Sequence, residues 1–443
     1  MLSAAAMMRK ILIVVLCSAM TTPAWALSDK GYQTLHTFSR VLQQVETNYV
    51  EPVNDQILLR GAIRGMMDVL DPHSVFMSPA VYKELRMETG GRFAGVGLEV
   101  TIKKGLITIV SPIEGSPADH AGIKAGDRII KINGKSTRDV DLGEAIGMMR
   151  GRSGSQVTLT LQRDENKHPF DVTLRRKVIQ VPSIRAELLP DRIGYARITS
   201  FQERTGADLA DALHDMEKNG SLNGLILDLR NNPGGLLDQA VDVSDLFLSA
   251  GTIVTTESRR QEIDRRIATG EGTEPGYPII ILINGGSASA SEIVAGALQD
   301  NGRALLMGTQ SFGKGSVQSV MELDDGSALK LTIARYFTPS GRSIQAQGIT
   351  PDVLVGDTPG KAPVRRNFRE SALRHHLESK NEKSSSEPVE PVMLSEEEEP
   401  VASSTLDYQK SKAQEVLIQW IQKHPKESLN AAKFNKAFKK KIK

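Results

Sequence analysis

Cysteine is all but missing from this chain: of 443 residues only Cys17 carries a thiol. A disulfide framework is therefore excluded, and so is a metal site built from thiolates. Aromatic residues are scarce at 5 %, and the eight histidines are scattered rather than clustered. Neither charge sign dominates, since 55 Lys and Arg stand against 53 Asp and Glu for a net of +2. That balance offers no footprint for nucleic acid. No phosphate-cradling motif and no cluster of metal ligands is legible, so no metal, nucleotide or other cofactor is expected. No apolar run reaches the ~20 residues that a bilayer requires.

What is present begins at the N terminus. Arg9 and Lys10 precede an apolar run from Ile11 to Met20, and Ala24-Trp25-Ala26 follows with small residues at cleavage spacing. The pattern reads as a cleavable export signal over residues 1–26, with Met1, Met7 or Met8 as the true start. A membrane anchor is the weaker alternative for so short a run. A lipoprotein signal on Cys17 is disfavoured by the bulk of Leu16 before it. Cleavage after Ala26 removes the only thiol and leaves an exported, soluble, periplasmic protein.

Five further regions follow. Residues 27–90 show helical spacing at Leu35, Phe38, Val41, Leu42 and Val45, broken by the turn signals EPVND and DPHS, and are expected to pack on the main body. Residues 91–177 form a small β-rich module around one helical stretch, DLGEAIGMMRG. Residues 178–356 alternate strands and helices, with Gly220 closing one helix and Asp325-Gly326 turning a hairpin. Continuous apolar strands such as GLILDLR and PIIILIN between helices predict an α/β domain with a largely parallel, covered sheet. Residues 357–404 predict a short helix in RRNFRESALRHHLE and then a polar, Pro- and Glu-rich linker. Residues 405–443 carry a last amphipathic helix, about Leu406 to Gln422, with Val416, Leu417, Trp420 and Ile421 to bury. It can dock on its own chain or on a second copy, which keeps homo-oligomerisation open.

The β module contains GVGLEV, in which Gly95, Val96 and Gly97 precede a strand opened by Leu98. Such a loop can turn successive N–H groups toward a carboxylate while the strand edge pairs with an extended peptide. Ile146 or Met149 of the module's helix would line an apolar pocket. Over GSPADHAGIKAGDRIIKINGKST the module resembles a bacterial PDZ domain, which implies capture of a protein's C-terminal tail. The alternative is a module that only packs on the core or gates access to it.

The stretch INGGSASASEIVAGALQD sets Ser287, Ser289 and Ser291 at a corner between an apolar strand and a helix. A nucleophile at such a corner would face the free N–H groups of the helix's first turn. On spacing alone, however, the serines read as helix caps and small packing residues, with Ser287 best placed as the N-cap. A base is not obvious. His214, the one histidine of the α/β region, lies on an amphipathic helix, so a Ser-His-Asp triad is poorly supported. Lys314 is set between Gly313 and Gly315, an unusual position for a solubilising lysine, although a surface loop explains it as well. To act as base it must lose about three units from a reference pKa near ~10.4, which burial can supply.

Three blocks in order, LDLRNNPGGLL, GGSASASEIVAGALQDNGRALLMG and SFGKGSVQ, resemble the carboxyl-terminal processing, or tail-specific, proteases over roughly Leu35 to Val355. The resemblance implies an α/β core of the Clp-protease/crotonase type with an inserted PDZ domain and helical terminal segments. It implies that Ser289 is the nucleophile, that Lys314, 25 residues later, is the general base, and that Gln318 holds the lysine. It further implies an oxyanion hole from the N–H of Ala290 and one from the Gly234-Gly235 turn. The expected substrates are exported proteins with apolar C-terminal tails, fed directly or by an adaptor. Ser311 stands where threonine is common, a mild departure. On a straight strand Lys314 and Gln318 would lie about 13 Å apart, so Gly315 must bend the chain. Two other readings remain: a PDZ scaffold that binds exported proteins without cutting them, and crotonase-type acyl-thioester chemistry, which the export signal disfavours.

Overall fold

The computed structural model describes residues 28–438, apart from 104, 114, 139, 164–167, 275, 359–368, 380–391, 394–406 and 425–426. The export signal read at 1–26 and most of the Pro- and Glu-rich linker thus lie outside the described residues. The chain divides into two units, one ending at Val69 and one starting at Leu70.

The first unit holds α1 (Asp29–Asn48), capped by the Ser28 side chain, and α2 (Asp55–Asp68), capped by Asn54. Each cap accepts the N–H three residues on, that of Gly31 and that of Ile57. Neither helix buries a residue, and Leu35, Phe38 and Val41 are exposed.

The second unit opens with β1 (Val75–Met77) and α3 (Pro79–Thr89), whose Pro79 suits the first helical position. β2 (Arg92–Gly95) leads into a six-stranded antiparallel module: β3 (Leu98–Lys103), β4 (Leu106–Pro112), β5 (Arg128–Ile132), β6 (Lys135–Ser136), β7 (Gln156–Gln162) and β8 (Phe170–Arg175). The module also carries a single turn, α4 (Pro117–His120), and α5 (Leu142–Met149). β9 (Lys177–Gln180) returns to pair antiparallel with β2. The module is thus entered and left through one two-stranded neck, as befits an insertion.

β10 (Ile184–Leu189) and β11 (Ile193–Ile198) start the main sheet, followed by α6 (Thr205–Glu217), β12 (Gly224–Asp228), α7 (Leu237–Asp245), β13 (Thr252–Ser258) and β14 (Ile263–Ile267). Then come β15 (Ile279–Ile283), α8 (Ala290–Asp300), β16 (Leu305–Gly308), the hairpin of β17 (Ser316–Glu322) and β18 (Ala328–Phe337), β19 (Val353–Leu354) and β20 (Val392–Met393). The main sheet has the order β10-β11-β12-β15-β16-β19-β20 and is parallel from β11 onward. A second, antiparallel sheet joins β1, β18, β13 and β14, with β17 on β18.

Every residue of β12 and β15 is buried, so both faces of the sheet need a cover. One face presents Leu225, Leu227, Ile279 and Ile281 to Leu213, Val243 and Val294 of α6, α7 and α8. The other presents Ile226, Ile280, Leu282 and Met307 to α9 (Tyr408–Lys423) and α10 (Ala431–Phe438). Val416, Leu417, Trp420 and Phe434 are buried there, each contributing about 1.5–3 kcal/mol of transfer free energy. The C-terminal helix therefore docks on its own chain.

Of RRNFRESALRHHLE, the described part holds only one tight turn, Glu370–Ala372, in place of the expected helix. Its main chain is used elsewhere, since Glu370 N–H donates to Phe312 O at 3.2 Å. No helix among the described residues is long and apolar enough to cross a membrane.

Candidate active site

The corner between β15 and α8 assigns different work to its three serines. Ser287 Oγ donates to Leu229 O at 2.8 Å and accepts Asn284 N–H at 3.0 Å, which ties the corner to the end of β12. Ser291 Oγ donates to Asn232 O at 2.9 Å. Both hydroxyls are spent on architecture. Ser289, not Ser287, is the N-cap of α8, because the helix starts two residues later than the spacing indicated. Its φ of +55° and ψ of −114° are strained for a residue with a side chain. Such strain, on the order of 1–3 kcal/mol, persists where the surroundings enforce it. Ser289 Oγ donates to no acceptor among the described residues and is 8 % exposed.

Glu292 enforces the corner. Its buried carboxylate accepts four hydrogen bonds: Ser289 N–H (2.8 Å) and Lys314 N–H (2.9 Å) on Oε2, Ser311 Oγ (2.5 Å) and Gly313 N–H (2.7 Å) on Oε1. Burial nevertheless pushes its pKa up to about 7, against the pull of those donors. The lysine loop, between β16 and β17, is thereby fastened to the serine corner. Gly315 closes it: its N–H donates to Gln345 Oε1 at 2.9 Å, and a Cβ there would lie 2.2 Å from Gln345 N. That close approach is why glycine follows the lysine.

Lys314 is mostly buried, and burial is the main cause that lowers its pKa to about 8. Lys330 of β18 lowers it further, while Glu370, Glu292 and Asp71 pull it back up. No hydrogen bond or ion pair engages Lys314 Nζ among the described residues, and none joins it to Ser289 Oγ. Gln318 is placed differently from what the resemblance implies. Its amide donates to Ser316 Oγ (2.8 Å) and Ser316 O (3.3 Å), beside a bulge between Val317 and Gln318, and not to the lysine.

The Gly234-Gly235 turn abuts the serine: a Cβ on Gly234, at φ +102°, would come within 2.8 Å of Ser289 Cβ and 3.0 Å of Ala290 N. Gly234 N–H, however, is already donated to Asn232 Oδ1 at 2.9 Å. The N–H groups of Gly235 and Ala290, by contrast, meet no acceptor among the described residues. Away from this corner, Gly95, Val96, Gly97, Leu98, Ile146 and Met149 all line one groove of about 470 Å³, which Pro182 and Ile184 of the core also line.

The sequence reads Glu292 only as part of a partial capping box with Ser287, whereas its partner is Ser289, in the capping-box pattern Ser289-x-x-Glu292.

Residues 192–355 match peptidase family S41, residues 108–163 a PDZ domain, and residues 18–80 the N-terminal domain of the activating protease CtpB. The chain is similar to a carboxy-terminal-processing protease of Bartonella bacilliformis, 44 % identical over 382 residues, covering 84 % of this chain and 86 % of the relative. It is 38 % identical over 335 residues to CtpA of Bacillus subtilis (74 % and 70 %) and 34 % over 366 residues to CtpB of the same organism (80 % and 76 %). An α/β core with an inserted PDZ domain, matched in this way, is that of a serine-type peptidase. The chain belongs to the carboxy-terminal-processing proteases of family S41.

Proposed function

We propose that this protein is an exported, periplasmic endopeptidase that cuts proteins by a Ser289/Lys314 dyad after its PDZ groove has taken their apolar C-terminal tails. The observation that carries the dyad is the shared anchor: Ser289 and Lys314 donate their main-chain N–H groups to the same oxygen of Glu292. A strained serine corner and a buried lysine with a lowered pKa support it further. Residues 1–26 support export.

In this reading neutral Lys314 Nζ takes the proton of Ser289 Oγ as the oxygen attacks the scissile carbonyl carbon. The oxyanion is met by the N–H groups of Ala290 and Gly235. The tetrahedral intermediate collapses, the C–N bond breaks, and the lysine ammonium gives its proton to the leaving amine. A water then attacks the acyl-enzyme, losing its proton to Lys314; the ester C–O bond breaks, and the ammonium returns that proton to Ser289 Oγ as the new carboxyl terminus leaves. Gln318, bonded to Ser316, steadies the start of β17 next to the lysine. Because Lys314 Nζ and Ser289 Oγ are not hydrogen-bonded, the reading includes a closing step that brings them together on substrate binding.

The test uses protein starting at Leu27 and an unfolded polypeptide with an apolar tail, free or amidated at its carboxylate. Cleavage by wild type, its loss in Ser289→Ala and Lys314→Ala, and slower cleavage of the amidated tail are expected. Tail binding without any cleavage, in wild type as in the variants, would favour the scaffold instead.

A further inference from the structure

Beside the lysine loop lies a group of side chains that the reaction leaves unassigned. The turn Asp71–Ser74 and the segment around Glu370 are separated by some three hundred residues of chain, yet they meet there. Glu370 is completely buried, and His73 Nε2 lies 2.9 and 3.0 Å from its two carboxylate oxygens. The His73 turn is itself fixed by Asp71, which accepts from the main chain of His73 (2.9 Å), from Ser74 Oγ (2.6 Å) and from Thr332 Oγ1 of β18 (3.1 Å). Gln345 Nε2 donates to Glu370 Oε1 at 3.0 Å and to Leu377 O at 3.0 Å, while its Oε1 accepts Gly315 N–H at 2.9 Å.

A second set of bonds grips the other end of the same loop. Glu370 N–H donates to Phe312 O, and the Arg369 guanidinium reaches the carbonyls of Ser311 (3.2 Å) and Gln347 (2.8 Å). The loop from Ser311 to Gly315 is therefore suspended between two buried carboxylates. Glu292 holds its inner side and Glu370, acting through Gln345, its outer side. The side chain of Lys314 is what remains unbonded between them.

A carboxylate this deep is costly unless its oxygens are partnered, and one of its bonds, through Gln345, leads to the residue after the lysine. We infer that Glu370 is a positioning residue for Lys314, with Gln345 as the arm that transmits its hold and His73 as the other side chain that meets its carboxylate. The inference rests on the reading of Lys314 as the general base. It places a determinant of catalysis outside the stretch matched to the S41 family, which ends at residue 355. The charged groups that bear on Lys314 are Lys330, Glu370, Glu292 and Asp71. Removing the charge of Glu370 deletes one of the three carboxylates that favour the protonated lysine.

The experiment compares wild type with Glu370→Gln, Glu370→Asp, His73→Asn, Ser289→Ala and Lys314→Ala, on fluorescently labelled casein from pH 6 to 10, together with Tm. Glu370→Gln is expected to lower kcat by at least about tenfold with KM little changed, and to move the acid limb of the pH–rate profile to lower pH. Glu370→Asp, which keeps the charge, returns the limb toward the wild-type position. A wild-type rate and profile in Glu370→Gln, or a loss that follows Tm with the acid limb unmoved, overturns the inference alone. Activity that survives in Lys314→Ala overturns the base assignment and this inference together.

Discussion

Ser289 and Lys314 meet on a single atom, Oε2 of Glu292, which accepts the main-chain N–H of each at 2.8 and 2.9 Å. One buried carboxylate thus fixes the backbone of the candidate nucleophile and of the candidate base. Glu292→Gln keeps one acceptor oxygen but turns an NH₂ group toward two donors, and buried unsatisfied donors are costly. We expect the variant to lose about 100-fold or more in kcat, measured on casein with circular dichroism as the check on folding.

Glu292 also predicts a pH dependence of stability. Its folded pKa, about 7, is raised above the ordinary 4.5. Between those values the folded state holds a proton that the unfolded state has released. The stability tied to that proton is complete below pH 4.5 and is lost as pH rises through about 7. Tm measured from pH 4.5 to 8 should fall more in wild type than in Glu292→Gln, and equal slopes would contradict the assignment.

Lys330 is the neighbouring cation that helps burial keep Lys314 neutral. Replacing it by methionine removes a positive charge from beside an ammonium, which makes protonation of Lys314 easier. The acid limb of kcat/KM, placed at about 8 in wild type, should therefore move to higher pH in Lys330→Met. This shift is opposite in sign to the one expected for Glu370→Gln. Profiles that move in the same direction would refute the electrostatic account.

Gly234 has no room for a methyl group, because a Cβ would sit 2.8 Å from both Ala288 O and Ser289 Cβ at a φ of +102°. Gly234→Ala must push the turn away from Ser289 and with it the free N–H of Gly235. A loss of 10²–10³ in kcat, the range for removal of one oxyanion donor, is expected. Active-site titration would show the serine still present.

Trp420 of α9 is 2 % exposed and its Nε1 donates to Glu427 O at 2.9 Å. Trp420→Ala should cost about 3–5 kcal/mol in urea unfolding, because it opens the cover over β12, β15 and β16. A change under about 1 kcal/mol, the scale of a surface substitution, would mean that the helix is not a required layer.

Much of this architecture was legible from short-range pattern. The apolar runs GLILD and IIILI announced buried parallel strands, and strands without a polar face already require a second layer, which the C-terminal helices supply. The glycines around Lys314 marked a constrained loop. What stayed hidden depends on contacts between distant residues. DPHS read as a turn, which it is, but the partner of His73 comes from Glu370, far along the chain. The resemblance implies that Gln318 holds the lysine, yet its amide bonds Ser316 beside a bulge that no spacing announces. The choice of Ser289 over Ser287 as the cap turned on where the helix begins, the least certain feature of any periodicity.

The central claim is that a neutral Lys314 activates Ser289, and the rate of covalent labelling of Ser289 by a fluorophosphonate reads it directly. Wild-type labelling, located by mass spectrometry, should rise with pH about a midpoint near 8, whereas Lys314→Met should label slowly and without that midpoint. Equal rates and profiles in the two proteins, or labelling at another residue, would contradict the account.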